Sequence, residues 1–168
     1  MALVLNTNSY AIIADADTYF DTRIDSANWF DAEDEIKEQA LVTATQIVDD
    51  NPWIGSAVSS SQALAWPRKN AKYYDNRMGF FITTGENEIP TQVITAVYEQ
   101  ALHLINNEDL LTGQTQTFEN ISVGSISISD SNGDVTRVPM KNALVLKAIK
   151  PLLVKGSTAM GASWRRAN

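Results

Sequence analysis

The stretch PTQVITAVYEQALHLI, residues 90–105, decides how the rest of the chain is read. Its apolar residues Val93, Ile94, Val97, Tyr98, Ala101, Leu102, Leu104 and Ile105 recur at spacings of three and four, the period of a helix with one wide apolar face. Pro90 opens it well, because a proline ring presets the helical φ and the amide it lacks would have no partner in the first turn. A face that wide needs covering from several sides. This helix, with a reach to Leu111, is therefore expected at the centre of the core.

Working outward, the same period recurs on both sides. After an extended start as far as Ile12-Ile13, Asp15 is a good N-cap for a short helix presenting Ala16, Tyr19, Phe20 and Ile24. A second helix is expected from Asp31, with Glu33, Asp34 and Glu35 in its first turn and Ile36, Ala40, Leu41, Ala44, Ile47 and Val48 at helical spacing. It ends near Asp50, since Asn51-Pro52 cannot continue it. A last helix starts near Asn142 and carries Leu144, Val145, Ala148, Ile149 and Leu152, with Pro151 kinking or ending it. Residues 53–89 hold no sustained period and read as a long irregular connector.

Between the last two helices the character changes. Ile121 and Val123 alternate in one phase, Ile126 and Ile128 in the other, and a bulge at Gly124 would explain the switch. Asn132-Gly133 is a strong hairpin signal, with Val135 and Val138 on the returning strand. The fold class expected is mainly α: a small helical bundle of about four helices with an inserted β-hairpin at about 120–138 and a flexible C-terminal tail. Residues 1–154 form the domain and 155–168 a basic arm.

Composition narrows the class. An apolar content of 44% with 20% charged residues is that of a chain that folds around a core. Without cysteine, disulfides, thiolate metal sites and a cysteine nucleophile are excluded. MALVLNTNSY has neither a basic n-region nor a cleavage site and no stretch approaches a membrane span, so no membrane partner is expected and the cytoplasm is the default compartment. The net charge of −7 is unevenly spread: from Arg137 onward there are seven basic residues and no acid, against six basic and twenty acidic before it. Such polarity suits head-to-tail association or docking of a basic tail on an acidic partner.

Catalytic chemistry finds little support. His103 is the sole histidine, set mid-helix beside Leu102 and Leu104, which leaves a Ser-His-Asp device or a zinc site short of groups. Asp130, Asn132 and Asp134 alternate around Gly133 somewhat like a calcium loop, but the glycine is misplaced and no closing Glu follows. Phosphate-binding glycine motifs are absent. The expectation is no enzyme, no metal and no cofactor.

One constellation stands out. AWPRKNAKYYDNRMGFF, residues 65–81, sets Trp66, Tyr73, Tyr74, Phe80 and Phe81 among Arg68, Lys69, Lys72 and Arg77. Rings interleaved with cations suit single-stranded nucleic acid, whose bases stack while phosphates follow the charges. The competing reading makes Trp66 and Pro67 loop anchors and the rings plugs of a subunit interface. The negative body, which repels a polyanion, favours the second.

The order of motifs resembles a known family. A start S-Y-A-x-x-A-D-A-D-x-Y-F from Ser9 to Phe20 is followed by Trp29 and the acid-led helix, then A-L-A-W-P-R from Ala63 to Arg68. Ile89-Pro90 opens a helix, S-V-G-x-I-S-I starts at Ser122, and a glycine-containing tail ends in Arg-Arg. This resembles the phage proteins labelled "DnaT-like ssDNA-binding", read as head-tail connectors or adaptors of tailed-phage necks. The resemblance implies a virion structural protein made in the host cytoplasm. It would form a ring, commonly a dodecamer, beneath the portal protein and above a tail or neck protein, with genome DNA passing through without specific binding. Lys155, Trp164, Arg165 and Arg166 would then be a portal-binding arm. Trp66, Arg68, Lys69, Lys72, Tyr73, Tyr74 and Arg77 would serve the subunit interface or, on the alternative reading, bind single-stranded DNA.

Overall fold

The computed structural model describes residues 2–107, 122–123, 126–127 and 141–154. Its helices are α1 (Ile13–Phe20), α2 (Ala27–Asp31), α3 (Asp34–Asp49), α4 (Thr91–Asn106) and α5 (Ala143–Ile149), the last running into a 3-10 turn, Lys150–Leu152. Short strands β1 (Ser56–Ala57) and β2 (Arg68–Lys69) pair antiparallel, as do β3 (Lys72–Asp75) with β4 (Phe80–Thr83) and β5 (Ser122–Val123) with β6 (Ile126–Ser127). The fold is mainly α.

α4 lies where its apolar face demands. Val93, Ala96, Val97 and Ala101 are fully buried, and α3, α2 and α5 all pack on this one helix. Each fully buried side chain of valine size or larger contributes about 1.5–3 kcal/mol, so the helix is held by its neighbours rather than by propensity. Pro90 is its N-cap, and the Asn107 side-chain amide donates back to the His103 carbonyl at 2.8 Å to close the far end. α3 packs Ala40, Leu41, Ala44 and Val48 against it. At one end Phe20, Trp29, Tyr19 and Tyr98 form an aromatic cluster, with Phe20 and Trp29 centroids 4.8 Å apart and Tyr19 stacked on Tyr98 at 5.0 Å. The Trp29 indole donates to Asp17 at 2.7 Å, which satisfies its polar edge.

Several boundaries differ from the sequence reading. α1 starts at Ile13, so Asp15 lies in its first turn rather than at the cap, and Ile24 is fully exposed beyond its end. The helix expected from Asp31 begins at Asp34, because Ala32 and Glu33 are extended and a separate short helix, α2, is needed to turn Trp29 onto Phe20. Ile36 is half-exposed rather than core. Val123 pairs with Ile126, so the phase switch read as a bulge marks the two sides of a hairpin instead. The expected turn at Asn132-Gly133, the strand at Val135 and Val138, the reach of α4 to Leu111 and the arm at 155–168 lie outside the described residues.

The connector 53–89 is the largest correction. It is ordered by two strand pairs and tied to the helical body at many points. Gly55, with φ +75°, passes so close to β2 that a Cβ there would sit 2.6 Å from the Lys69 carbonyl oxygen. Ile54 N–H donates to the Leu152 carbonyl at 3.0 Å and Val154 N–H to Pro52 at 2.9 Å, which fastens the end of α5 to this segment. α5 itself begins as expected, with the Asn142 side chain accepting from Leu144 N–H at 3.1 Å.

Candidate nucleic-acid interface

The aromatic and basic stretch 65–81 divides in two. In its first half the groups face inward. Trp66 is 2% exposed, follows on into a cis Trp66-Pro67 bond, and meets Trp53 edge-on at 5.7 Å. The Tyr10 hydroxyl donates to the Asp49 carboxylate and accepts from Trp66 N–H at 2.9 Å, while Ala65 N–H donates to both Asp49 oxygens at 3.0 and 2.9 Å. Burial, first, and the Asp49 carboxylate, second, push the Tyr10 phenol far up from its ordinary range. Arg68 spends its guanidinium on three carbonyls, those of Ile54 (2.8 Å), Gly55 (2.9 Å) and Ala65 (3.2 Å). Trp66 and Arg68 are thus parts of the scaffold. So is Tyr73, 8% exposed, whose hydroxyl accepts from the Gln92 amide at 3.2 Å.

In the second half the groups face out. β3 and β4 alternate, Tyr73 inward against Ile82 and Tyr74 outward against Phe81. Tyr74 and Phe81 are 41% and 56% exposed and meet edge to face with centroids 5.3 Å apart. Lys72 Nζ lies 5.3 Å from the Phe81 ring centre, a cation–π contact that keeps a charge beside the pair. Met78 and Phe80 at the tip are also half-exposed. The tip is held by the Asp75 carboxylate, which accepts from Arg77 N–H at 2.8 Å and Met78 N–H at 3.1 Å, and Gly79 turns at φ +76°.

The cations sort by their partners. Arg23 joins Glu99 and Asp25, and Lys37 is buried beside Asp17 and Asp34. Lys141 donates to Asn51 at 2.9 Å. Among the described residues, Lys69, Lys72, Arg77, Lys147 and Lys150 form no ion pair or side-chain hydrogen bond. Three belong to the β2–β4 region, and the others to α5 and the turn after it, against which β3 packs. Lys147 escaped the sequence reading of the site. The one available signal was the unbalanced basic charge beyond residue 136. Lys155, Trp164, Arg165 and Arg166 lie outside the described residues.

The mainly α domain thus mounts an outward aromatic pair with the Lys72 ammonium beside it. The chain belongs to the family described as "Putative DnaT-like ssDNA binding protein", whose model matches residues 2–167. No curated protein and no solved structure matches it. The family's description overturns the reading as a head-tail adaptor. With it go the dodecameric ring, the portal and tail partners, the virion-neck location and the DNA that passes without specific binding. That reading leaned on the net negative charge and treated the rings as interface plugs. Locally, however, the exposed rings stand beside unpaired cations.

The motifs that carried the resemblance hold the scaffold together. Ser9, Tyr10, Ala11, Ala16 and Phe20 are buried, Asp17 serves Trp29, and Tyr19 donates to Glu99. Among the described residues no group of three or more His, Asp or Glu is placed to hold a metal ion, and no helix is long and apolar enough to cross a membrane.

Proposed function

We propose that the protein binds single-stranded DNA, acting as a binder rather than an enzyme, with the β3–β4 hairpin as the contact surface. On this reading bases stack on Tyr74 and Phe81, with Phe80 and Met78 extending the apolar strip around the tip. Lys69, Lys72 and Arg77 face the phosphates, and the helices, taken as a small bundle around α4, are the rigid mount. The observation that carries it is the outward Tyr74–Phe81 pair with Lys72 beside it. Family membership supports the same ligand. The net charge of −7 does not oppose this strongly, because charges more than about 10 Å away are screened at 0.1 M salt, while cations in contact with phosphate act through counterion release.

The test is fluorescence anisotropy of a labelled oligothymidylate at several salt concentrations. Binding is expected, with log affinity falling linearly in log salt. Phe81→Ala should weaken it by about 1–3 kcal/mol, the worth of one stacked base, without altering the salt slope. Absence of any salt-sensitive binding by the unaltered protein sinks the proposal.

A further inference from the structure

A groove of about 440 Å³ lies between the hairpin and α5, lined among others by Tyr74, Arg77, Gln92, Leu144, Lys147 and Pro151. Resting on the single-strand reading, we infer that this groove takes the strand's backbone as it leaves the ring pair. One phosphodiester sits against Arg77 and Lys147, making α5 the second wall of the binding surface.

The charges single out this groove. It is also lined by Arg23, Asp75 and Glu99, but the Arg23 guanidinium is spent on Glu99 and Asp25, and Asp75 is spent on the amides of the hairpin tip. With Arg23 and Glu99 offsetting each other, Arg77 and Lys147 outweigh the charge that Asp75 keeps, so the lining is net positive. The adjoining hollow of about 680 Å³ shares Arg77 and Asp75 but has Glu88 and no lysine, so its lining is net negative and a phosphate there is opposed. The polyanion's path is therefore set towards α5. Volume agrees, since sites of about 300–1,000 Å³ suit ligands of nucleotide size. The apolar walls at Leu144 and Pro151 lie beside the exposed face of Tyr74, so one base has an apolar place next to the phosphate. Gln92, whose amide donates to the Tyr73 hydroxyl, also lines this groove and supplies a polar group for a base edge.

The sequence placed these parts about seventy positions apart. They meet because β3 packs on the 3-10 turn after α5, and because Ile54 and Val154 fasten that turn to the connector. Lys150 provides the comparison: it too is exposed, three residues beyond Lys147, and outside the groove's lining.

The experiment measures the affinity of the full chain for labelled oligothymidylate against salt, for the unaltered protein, Lys147→Ala, Lys150→Ala and Phe81→Ala. Circular dichroism checks that each variant is folded. Lys147→Ala should flatten the slope of log affinity against log salt by about 0.7, the value of one phosphate contact on a single strand, and weaken binding several-fold at low salt. Lys150→Ala should leave the slope unchanged. If both lysine variants change the slope equally, only net charge is being sensed and the groove inference fails. It fails as well if neither changes the slope while Phe81→Ala still weakens binding, an outcome that leaves the hairpin reading standing. If the unaltered protein does not bind, both fall.

Discussion

Trp66 and Phe81 belong to one aromatic, basic stretch, yet they do opposite work. Trp66 is 2% exposed and seated against Trp53, with its backbone held by Tyr10. Phe81 is 56% exposed and touches Tyr74 and Lys72 on the outer face of a two-stranded hairpin. The cations divide the same way, Arg68 gripping three carbonyls while Arg77 has no side-chain partner among the described residues. Composition alone therefore does not mark a binding surface. The direction a side chain takes from the backbone decides whether a ring stabilises the fold or meets a ligand.

The sharpest way to break this comparison is to truncate both rings. Trp66→Ala should lower stability by about 3–5 kcal/mol, the range for emptying a buried aromatic site, read as a large fall in the urea midpoint. Phe81→Ala should move the same midpoint by no more than about 0.5 kcal/mol, as exposed substitutions do. Equal losses in the two variants would mean that the hairpin rings are as structural as the buried ones.

A smaller effect sharpens the buried side. Burial, aided by the Asp15 charge, pushes the Tyr98 phenol up to about 12. Tyr10 and Tyr19 are also raised, by burial first and then by their bonds to Asp49 and Glu99. An unfolded tyrosine loses its proton near pH 10, whereas these hold theirs to higher pH. Above about pH 10 the unfolded chain therefore binds fewer protons than the folded one, and stability should decline as pH rises towards 12. Thermal melts from pH 8 to about 11.5 check this, with a flat profile above pH 10 counting against the buried assignments.

Much of the helical frame was legible because its signals are long and local. α4 keeps its period over sixteen residues, and α3 ends where Asn51-Pro52 requires. The hairpin was not legible, for a physical reason. Period-two alternation is seen as apolar against polar, and here the outward positions Tyr74 and Phe81 are as apolar as the inward Tyr73 and Ile82. An exposed aromatic face erases the pattern that would reveal the strand. The roles of Arg68, Arg23 and Lys147 were hidden differently, because Gly55 stands 13 residues from Arg68 and Glu99 stands 76 from Arg23, and the hairpin that Lys147 faces is as remote, so only packing brings them close. The negative total charge misled most. It weighed against a polyanionic ligand, although the acids cluster at helix starts and in pairs while the uncommitted cations gather at the hairpin and α5.

The measurement closest to the central claim is photo-crosslinking of the full chain to a bromodeoxyuridine-substituted single strand, with the adducts located by mass spectrometry. The account predicts adducts on Tyr74, Phe80 or Phe81, abolished by an excess of unmodified single strand, and none on Trp53, Trp66 or Tyr73. Adducts confined to Phe30 or other exposed rings away from the hairpin, with Tyr74 and Phe81 untouched, would contradict it.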